Sequence, residues 1–373
     1  MIKVSRGCCG EEELEQVKEA FEYGYFGLAY KVNEFEEALK GYLGSDREVI
    51  AVNTGTSALH IALDSIGIKE GDEVILPSFT FVATAQAITE CGGKPVFCEI
   101  DEKTMLIDIN DVKKKITDKT KAIMPVHYAG APCDMDELLS IKEKYGIRII
   151  EDAAHAIGST YKGKKIGSFG DITCFSFDSI KVMTCGEGGA VVTNDTETAE
   201  IIRKKRLLGI DRKTMHTKDW KKRSWIYDVP VSGHRYHMSN INGAIGLAQL
   251  NKLDKFIEKR RFLCDIYNNE LKNIEGIKAP CTDFSQIAPF MYVVKVTDGK
   301  RDALKTYLTE HEIESGISYI PCHHFSYYNS GENMQITDKV FTEILCLPMH
   351  CDLTESDIKE VCGCIKEFLK QEK

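Results

Sequence analysis

The chain has 373 residues, of which 43% are hydrophobic and 28% charged, and a net charge of −9. This length and apolar content suffice for two domains with separate cores, whereas the negative charge disfavours nucleic acid as a partner. No C-x-x-C spacing occurs among the 14 cysteines, which disfavours a zinc or thioredoxin-type site. We see no signal peptide and no apolar run long enough to cross a membrane. We therefore expect a cytoplasmic protein with reduced cysteines and no membrane partner.

Two helices are predicted near the N-terminus, over residues 11–23 and 31–43, because apolar side chains recur there at helical spacing. The segment between them, Gly24–Tyr30, is aromatic and rich in glycine. Tyr25 in this segment is a candidate substrate contact. The alternative is that these aromatic side chains simply pack between the helices.

A predicted strand at residues 48–52 is followed by a turn of small residues, Asn53–Ser57, and then by a helix over residues 58–66. The first N–H groups of a helix have no partner within the helix, and together with the helix dipole they attract anions. The turn is therefore a candidate phosphate site. Many similar turns bind nothing, so this pattern alone leaves the matter open.

Strands and helices then alternate along the chain, which predicts a mainly parallel sheet covered by helices on both faces. Right-handed crossovers would place the carboxyl ends of these strands on a shared edge. With residues 48–52 the sheet has seven predicted strands; the others are residues 73–76, 96–100, 121–126, 147–150, 172–177 and 190–193. The helices between them are predicted at residues 82–89, 109–116 and 135–145.

The C-terminal third has a mixed pattern that predicts a smaller α+β domain. We place the boundary between residues 1–244 and residues 245–373. A predicted helix at residues 196–208 lies before this boundary, and one at residues 240–259 begins the second domain. This domain has further predicted helices at residues 302–312 and 356–370 and strands at residues 288–296 and 316–319. The polar stretch at residues 209–233 contains Trp220, Trp225 and the basic cluster Lys221-Lys222-Arg223, which we interpret as a solvated loop.

Two residues at predicted strand ends point to a specific chemistry. Asp152 and Lys181 each follow an apolar run, so both would lie at the ligand-binding edge of the sheet. A buried lysine with a lowered pKa can form a Schiff base with pyridoxal phosphate, and a carboxylate can keep the ring nitrogen of that cofactor protonated. Ser176 is a candidate for the phosphate. A surface lysine and an aspartate in a turn are the alternatives that these residues leave open.

Two further groups of residues are weighed as candidates for a site. His127 and Tyr128 follow the strand at residues 121–126 and are expected to form part of a pocket wall. A histidine that is hydrogen-bonded for structural reasons is the alternative. Cys322, His323 and His324 are adjacent in sequence, and because adjacent side chains diverge we predict no metal site there.

Several motifs of the chain resemble those of a known enzyme family. They are EDAAHAIGSTYKGKKIGSFGD (151–171), CFSFDSIKVMTCGEGGAVVTND (174–195), NTGTSALHIAL (53–63), GDEVILPSFTFVATAQAI (71–88), TKAIMPVHYAGAPCDMD (120–136) and RYHMSNINGAIGLAQL (235–250). In their order along the chain they are similar to the signature of the fold-type I, pyridoxal phosphate-dependent sugar aminotransferases of the DegT/StrS group. The resemblance extends from about residue 10 to about residue 365 and implies that fold, with its seven-stranded sheet.

The resemblance implies roles for single residues around the cofactor. Lys181 would form the Schiff base and carry protons, and Asp152 would pair with the pyridinium nitrogen. His155 would lie near the phenolic oxygen and Phe81 against the face of the ring. The phosphate would be held by Gly55, Thr56, Ser57 and Ser176.

Other implied roles concern the substrate and the partner subunit. Relatives carry Asn or Arg at the position of His237, where the side chain reaches a phosphate across a dimer, so His237 is a candidate for that contact. His323 and His324 would border the sugar pocket; the alternative is that they are ordinary loop residues. Because active sites in this group are completed by a neighbouring chain, we expect a homodimer with two shared sites.

The resemblance also implies the reaction. Relatives that have histidine in place of the lysine are dehydratases, so Lys181 indicates amino transfer from L-glutamate to a keto sugar. The HYAGAP and MTCGEGG variants favour a nucleotide-linked 4-keto-6-deoxyhexose, for surface-glycan or amino-sugar biosynthesis. The alternatives are a non-nucleotide keto sugar, a small phosphorylated ketone, another reaction of the same cofactor, and a non-catalytic regulatory protein with this fold.

Overall fold

The computed structural model describes residues 1–211, 227–329 and 331–371. Trp220, Trp225 and the basic cluster at residues 221–223 lie outside these ranges. Within them, every helix is either too short or too polar to cross a lipid bilayer.

The described strands and helices are named here in chain order. The strands are β1 (Glu48–Val52), β2 (Glu73–Pro77), β3 (Lys94–Cys98), β4 (Thr120–Ile123), β5 (Arg148–Asp152), β6 (Thr160–Tyr161), β7 (Lys164–Lys165), β8 (Ile172–Ser176), β9 (Gly189–Thr193), β10 (Ile277–Lys278), β11 (Tyr292–Val296) and β12 (Ile344–Leu347). The α-helices are α1 (Glu11–Tyr23), α2 (Tyr30–Leu43), α3 (Gly55–Ser65), α4 (Val82–Glu90), α5 (Ile109–Lys115), α6 (Met135–Tyr145), α7 (Thr196–Lys205), α8 (Asn240–Leu271), α9 (Arg301–Glu310), α10 (Gln335–Glu343) and α11 (Glu355–Gln371).

The predicted seven-stranded, mainly parallel sheet is confirmed. Its strand order is β1-β9-β8-β5-β4-β2-β3, and β9 alone in this sheet runs antiparallel to its neighbours. The carboxyl ends of β1, β5 and β8 therefore meet at one edge, where the register pairs Gly189 with both Val52 and Ser176. A Cβ at Gly189 would lie 2.3 Å from the carbonyl oxygen of Thr54, so only glycine allows this close approach.

Helices cover both faces of the sheet because its strands are apolar on both sides. In β1, Ile50 and Val52 pack in the core beneath α3 and α4. Val49 and Ala51 point the opposite way, into a core formed with α2 and the first half of α8. Alternate residues of one strand thus enter two different cores, as expected for a strand buried on both faces.

The C-terminal part contains a second sheet, in which β10, β11 and β12 are antiparallel. The second half of α8 packs against it, with Leu263 and Tyr267 in the core that α9 and α11 share. Because Leu253 of α8 belongs to the core of the first domain, a boundary at residue 244 stays a proposal and would fall near the start of this helix.

Two sequence predictions differ from the observed elements in ways that affect the site. Residues 316–319 do not form a strand, since Gly316 makes a single bridge to Cys346. Helix α3 begins at Gly55 rather than at residue 58, because the Thr54 hydroxyl accepts a hydrogen bond from the Ser57 N–H at 3.0 Å and caps the helix. The first turn of α3 therefore faces the sheet edge.

Candidate active site

A cavity of about 420 Å³ opens at the carboxyl edge of the large sheet. The structure brings seven of the predicted site residues together in its wall: Gly55, Thr56, Phe81, Asp152, His155, Ser176 and Lys181. It also contains residues that sequence analysis missed, among them Thr84, Asp178, Glu187 and Tyr319. The size of the cavity is within the range of small-molecule sites.

Lys181 lies in the loop that follows β8, and its Nζ is 4.5 Å from the centroid of the Phe290 ring. Burial lowers the pKa of this lysine to about 8, although the carboxylates of Asp152 and Asp178 act in the opposite direction. A lysine with such a pKa has a substantial neutral fraction near neutral pH. Its amine can therefore act as a nucleophile and as a proton acceptor.

Asp152 is the last residue of β5 and is held by two donors. Its Oδ2 accepts a hydrogen bond from the Thr84 hydroxyl at 2.8 Å, and its Oδ1 accepts one from the Ala154 N–H at 3.1 Å. Burial raises the pKa of this carboxyl, while the two donors and the charge of Lys181 oppose that change. A fixed, poorly solvated carboxylate of this kind is best matched by a cationic group in the cavity.

The first turn of α3 and the end of β8 form one corner of the cavity. Gly55 and Thr56 occupy the first helical positions, where backbone N–H groups lack partners within the helix. An added Cβ at Gly55 would lie 2.7 Å from the Cβ of Ser176, so the two backbones approach closely. Ser57 is buried and accepts a hydrogen bond from the Thr54 hydroxyl at 2.9 Å, so its side chain does not line the cavity.

Aromatic side chains form the opposite wall. His155 accepts the Ala129 N–H at its Nδ1 (3.3 Å), so its Nε2 carries the proton and donates to the Tyr319 hydroxyl, 3.0 Å away. Burial and the nearby Lys181 hold the pKa of His155 well below its usual value, which keeps the ring neutral. The Phe81 side chain is 55% exposed, with its ring 5.6 Å from that of Tyr319. Phe81 thus offers a free face to a flat ligand.

The structure does not bring His127 or Tyr128 to the cavity, which corrects the expectation of a pocket wall. His127 is fully buried; its Nε2 is 2.9 Å from Glu151 and its Nδ1 accepts the Cys133 N–H at 3.0 Å. The Tyr128 hydroxyl donates to the Ser318 carbonyl, and its ring packs 5.0 Å from that of Phe79. Both side chains point into the core, so the structural alternative describes them better.

Four further candidates also lie outside the cavity lining. The side chain of Tyr25 is 48% exposed, between α1 and α2. His237 pairs with Val52 at the sheet edge, and a contact to a partner's phosphate stays a proposal. His323 and His324 both approach one carboxylate, that of Asp338, with Nε2–Oδ1 distances of 3.1 and 2.6 Å. The expectation that these adjacent side chains diverge is therefore wrong.

Comparison with known proteins agrees with this geometry. The profile of the DegT/DnrJ/EryC1/StrS aminotransferase family matches residues 7–366. The chain belongs to this family.

Three relatives illustrate its place in the family. It is 38% identical over 343 residues to the GDP-perosamine synthase of Caulobacter vibrioides, covering 90% of this chain and 89% of that one. It is 34% identical over 372 residues to the spore coat polysaccharide biosynthesis protein SpsC of Bacillus subtilis, covering 97% and 95%. Spr1654 of Streptococcus pneumoniae, assigned as a sugar aminotransferase and solved in its pyridoxal phosphate form, superposes with a TM-score of 0.91 at 27% identity, covering 99% of both chains.

This member of the family is a pyridoxal phosphate-dependent aminotransferase, and the residues of the cavity fit that cofactor. A lysine with a lowered pKa, a buried carboxylate and a helix N-terminus match an aldehyde, a pyridinium nitrogen and a phosphate respectively. The glycine at position 55 leaves room for a phosphate beside Ser176, where any Cβ would intrude.

The reactivity of Lys181 is expected to depend on pH in a defined way. Since its pKa is lowered from 10.5 to about 8, modification by a limiting amine reagent should be half-maximal near pH 8, rising above that value and falling below it. Only the neutral amine reacts. Peptide mass spectrometry of the cofactor-free enzyme measures this, with exposed lysines of the same sample as an internal reference. A midpoint near the ordinary value would contradict the burial of Lys181.

Substitution of Gly55 by alanine is expected to weaken cofactor binding by roughly tenfold or more, since overpacking costs about 1–3 kcal/mol. The new Cβ would lie 2.9 Å from the Ser176 Oγ and displace the turn. Titration of the cofactor-free enzyme with pyridoxal phosphate measures the affinity. Gly41→Ala is the matched control, because its Cβ would meet no heavy atom within 4 Å. Equal affinities for Gly55→Ala and the unchanged protein would show that Gly55 does not shape the site.

Proposed function

We propose that this aminotransferase moves an amino group from L-glutamate to a keto sugar, specifically a nucleotide-linked 4-keto-6-deoxyhexose, for surface-glycan or amino-sugar biosynthesis. The main support is the 38% identity, over nine-tenths of the chain, to a protein named GDP-perosamine synthase, whose product is a nucleotide-linked sugar. SpsC, at 34% identity, is named for polysaccharide biosynthesis. Lys181 in the cavity supports amino transfer rather than dehydration.

The cavity residues have distinct roles in this proposal. Bound pyridoxal phosphate supplies an electron sink that stabilises negative charge on the carbon losing a proton. The Nζ of Lys181 accepts the proton that leaves the α-carbon of the amino donor. In the return half of the reaction it donates a proton to the sugar carbon that receives the amino group. Its pKa of about 8 suits both directions near neutral pH.

The other side chains of the cavity would orient the cofactor and polarise its ring. The Asp152 carboxylate, held by Thr84 and Ala154, would keep a ring nitrogen protonated. The N–H groups of Gly55 and Thr56 would hold the phosphate together with the hydroxyl of Ser176. These three groups approach the ligand from different elements of the sheet edge. A flat cofactor held in this way would have little freedom to rotate.

The aromatic wall of the cavity would also hold the ring of the cofactor. Phe81 would cover one face of it. The neutral His155, fixed by Tyr319, would face its phenolic oxygen. Asp178 and Glu187 also line the cavity, and their carboxylate oxygens can accept hydrogen bonds from sugar hydroxyls.

The acceptor is tested by converting the enzyme to its amino form with L-glutamate and adding a panel of keto sugars. We expect 2-oxoglutarate in the first stage and an aminated nucleotide sugar in the second, detected by mass spectrometry. Turnover only with free keto sugars or only with small phosphorylated ketones would show that the substrate belongs to that class. Ammonia release without 2-oxoglutarate would indicate another reaction of the cofactor. The absence of any change with cofactor and donor would indicate a regulatory protein.

We also propose a homodimer that works in the cytoplasm. Ile180 lines the cavity with 41% of its surface exposed, which a second chain would cover. A contact of His237 with the partner's phosphate group would also require that arrangement. The 14 cysteines are all free, which suits a reducing compartment. A solution mass that corresponds to an active monomer would contradict the dimer.

A further inference from the structure

Three potential metal ligands converge at a point outside the cofactor cavity. The Nε2 atoms of His323 and His324 lie 3.1 and 2.6 Å from the Oδ1 of Asp338, and all three atoms lie within 4.8 Å of one another. The two histidines belong to a short 3-10 turn, Cys322–His324, which directs both rings to the same side. Asp338 is presented by α10.

His323 is the buried ligand of this group, and hydrogen bonds on the side of the ring away from Asp338 orient it. The Nδ1 of His323 is 2.7 Å from the Ser78 Oγ, and the same oxygen accepts the His323 backbone N–H at 3.1 Å. This leaves the Nε2 of the ring to face Asp338. Metal-binding histidines characteristically bond their other ring nitrogen to the protein in this way, which fixes the direction of the ring.

The other two ligands are also held by contacts of their own. The His324 ring packs edge-on against Phe341 of α10, with ring centroids 5.6 Å apart. The start of α10 is fixed by the Glu99 carboxylate, which accepts the N–H groups of Ile336 and Thr337 at 3.1 and 2.9 Å. The helix that carries Asp338 is therefore tied to the end of β3.

We propose that His323, His324 and Asp338 form a zinc site. Two imidazole nitrogens and one carboxylate oxygen are a ligand set that Zn²⁺ binds well, with a fourth position left for water. Tetrahedral ligands at zinc distances lie roughly 3.3 Å apart, so the two histidine–carboxylate separations of 3.1 and 2.6 Å need to open slightly. His324 and Asp338 are 36% and 39% exposed at their side chains, and can move by that amount towards solvent.

A metal here would fix the loops that border the cavity without touching it. His323 follows Tyr319 on one of these loops, and Ser78 precedes Thr80 and Phe81 on another. Zinc would join α10 to both through His323 and its bond to Ser78. The inference does not depend on the identity of the amino donor or acceptor, since no atom of the three ligands lines the cavity.

Zinc titration of the full-length, chelator-treated and reduced enzyme tests this site by calorimetry. We expect one Zn²⁺ per chain, with affinity at least tenfold lower in Asp338→Asn and in His324→Ala, and lower by roughly 10–100-fold in Ser78→Ala. His311→Ala is the matched control, because it removes an exposed histidine that follows α9 and whose ring bonds the Tyr307 carbonyl. Its zinc affinity should equal that of the unchanged protein.

Thermal unfolding gives a second measurement that does not depend on heats of binding. Zinc should raise the Tm of the unchanged protein and of His311→Ala, and should leave that of Asp338→Asn unchanged. This comparison also shows whether each variant is folded. No saturable binding by the unchanged protein would overturn the proposal, as would zinc affinities of Asp338→Asn and His324→Ala that equal that of the unchanged protein. Either result would leave the three residues as a hydrogen-bonded clamp.

Discussion

Lys181→Ala is expected to lower turnover by on the order of 10⁴-fold, because positioned proton transfer contributes up to about that factor. The substitution removes the amine that lines the cavity near Phe290. Pyridoxal phosphate should still bind through the other contacts, since Asp152 and the first turn of α3 are untouched. Steady-state rates with L-glutamate and an accepted keto sugar, together with the cofactor content after dialysis, measure both effects.

Lys181→Arg separates the loss of charge from the loss of a proton acceptor. Arginine stays protonated in proteins, so it can accept no proton and should be as inactive as alanine. Lys164→Ala removes an exposed lysine of β7 and should have the activity of the unchanged protein. Near-normal turnover by Lys181→Ala would assign the chemistry to another residue.

Asp152→Asn is expected to lower turnover by roughly 10²–10³-fold, the effect of removing one fixed electrostatic partner of a reacting group. The amide has the same shape and can keep the bond from Thr84, but it carries no charge to hold a ring nitrogen protonated. The cofactor affinity should fall less than turnover does, because the phosphate contacts remain. Steady-state rates and cofactor titrations on the same preparation measure turnover and cofactor affinity.

The control for this variant is Asp118→Asn, which makes the same chemical change in an exposed turn between α5 and β4. Its rate should match that of the unchanged enzyme. If Asp152→Asn lost cofactor and activity in equal proportion, Asp152 would serve binding alone. Retention of full activity would remove it from the mechanism.

The central sheet could be predicted from the sequence because its strands are apolar on both faces and alternate with helices. Val49 and Ile50, for instance, enter opposite cores. The same logic predicted that Asp152 and Lys181 would meet, since side chains at the carboxyl ends of neighbouring parallel strands share an edge. Both indeed line one cavity.

Side-chain direction at strand ends and in turns was the part that could not be predicted. His127 also follows a strand, but its ring turns inward to Glu151, and nothing in the local pattern distinguishes this from a cavity residue. His323 and His324 converge because they lie in a 3-10 turn, whereas we expected adjacent side chains to diverge. Tyr319 reaches His155 across 164 residues of sequence, a contact that only the packed structure reveals.

The visible absorption spectrum of the purified enzyme, before and after L-glutamate, tests the central claim most directly. We predict that L-glutamate lowers an absorbance band at roughly 410 nm and raises one at roughly 330 nm, as expected when this cofactor takes up an amino group. The Lys181→Ala variant should lack the band that the unchanged enzyme has before L-glutamate is added. A protein without such a band, even after pyridoxal phosphate is added, would contradict the assignment of the cavity. A band that does not change with L-glutamate would contradict the proposed donor.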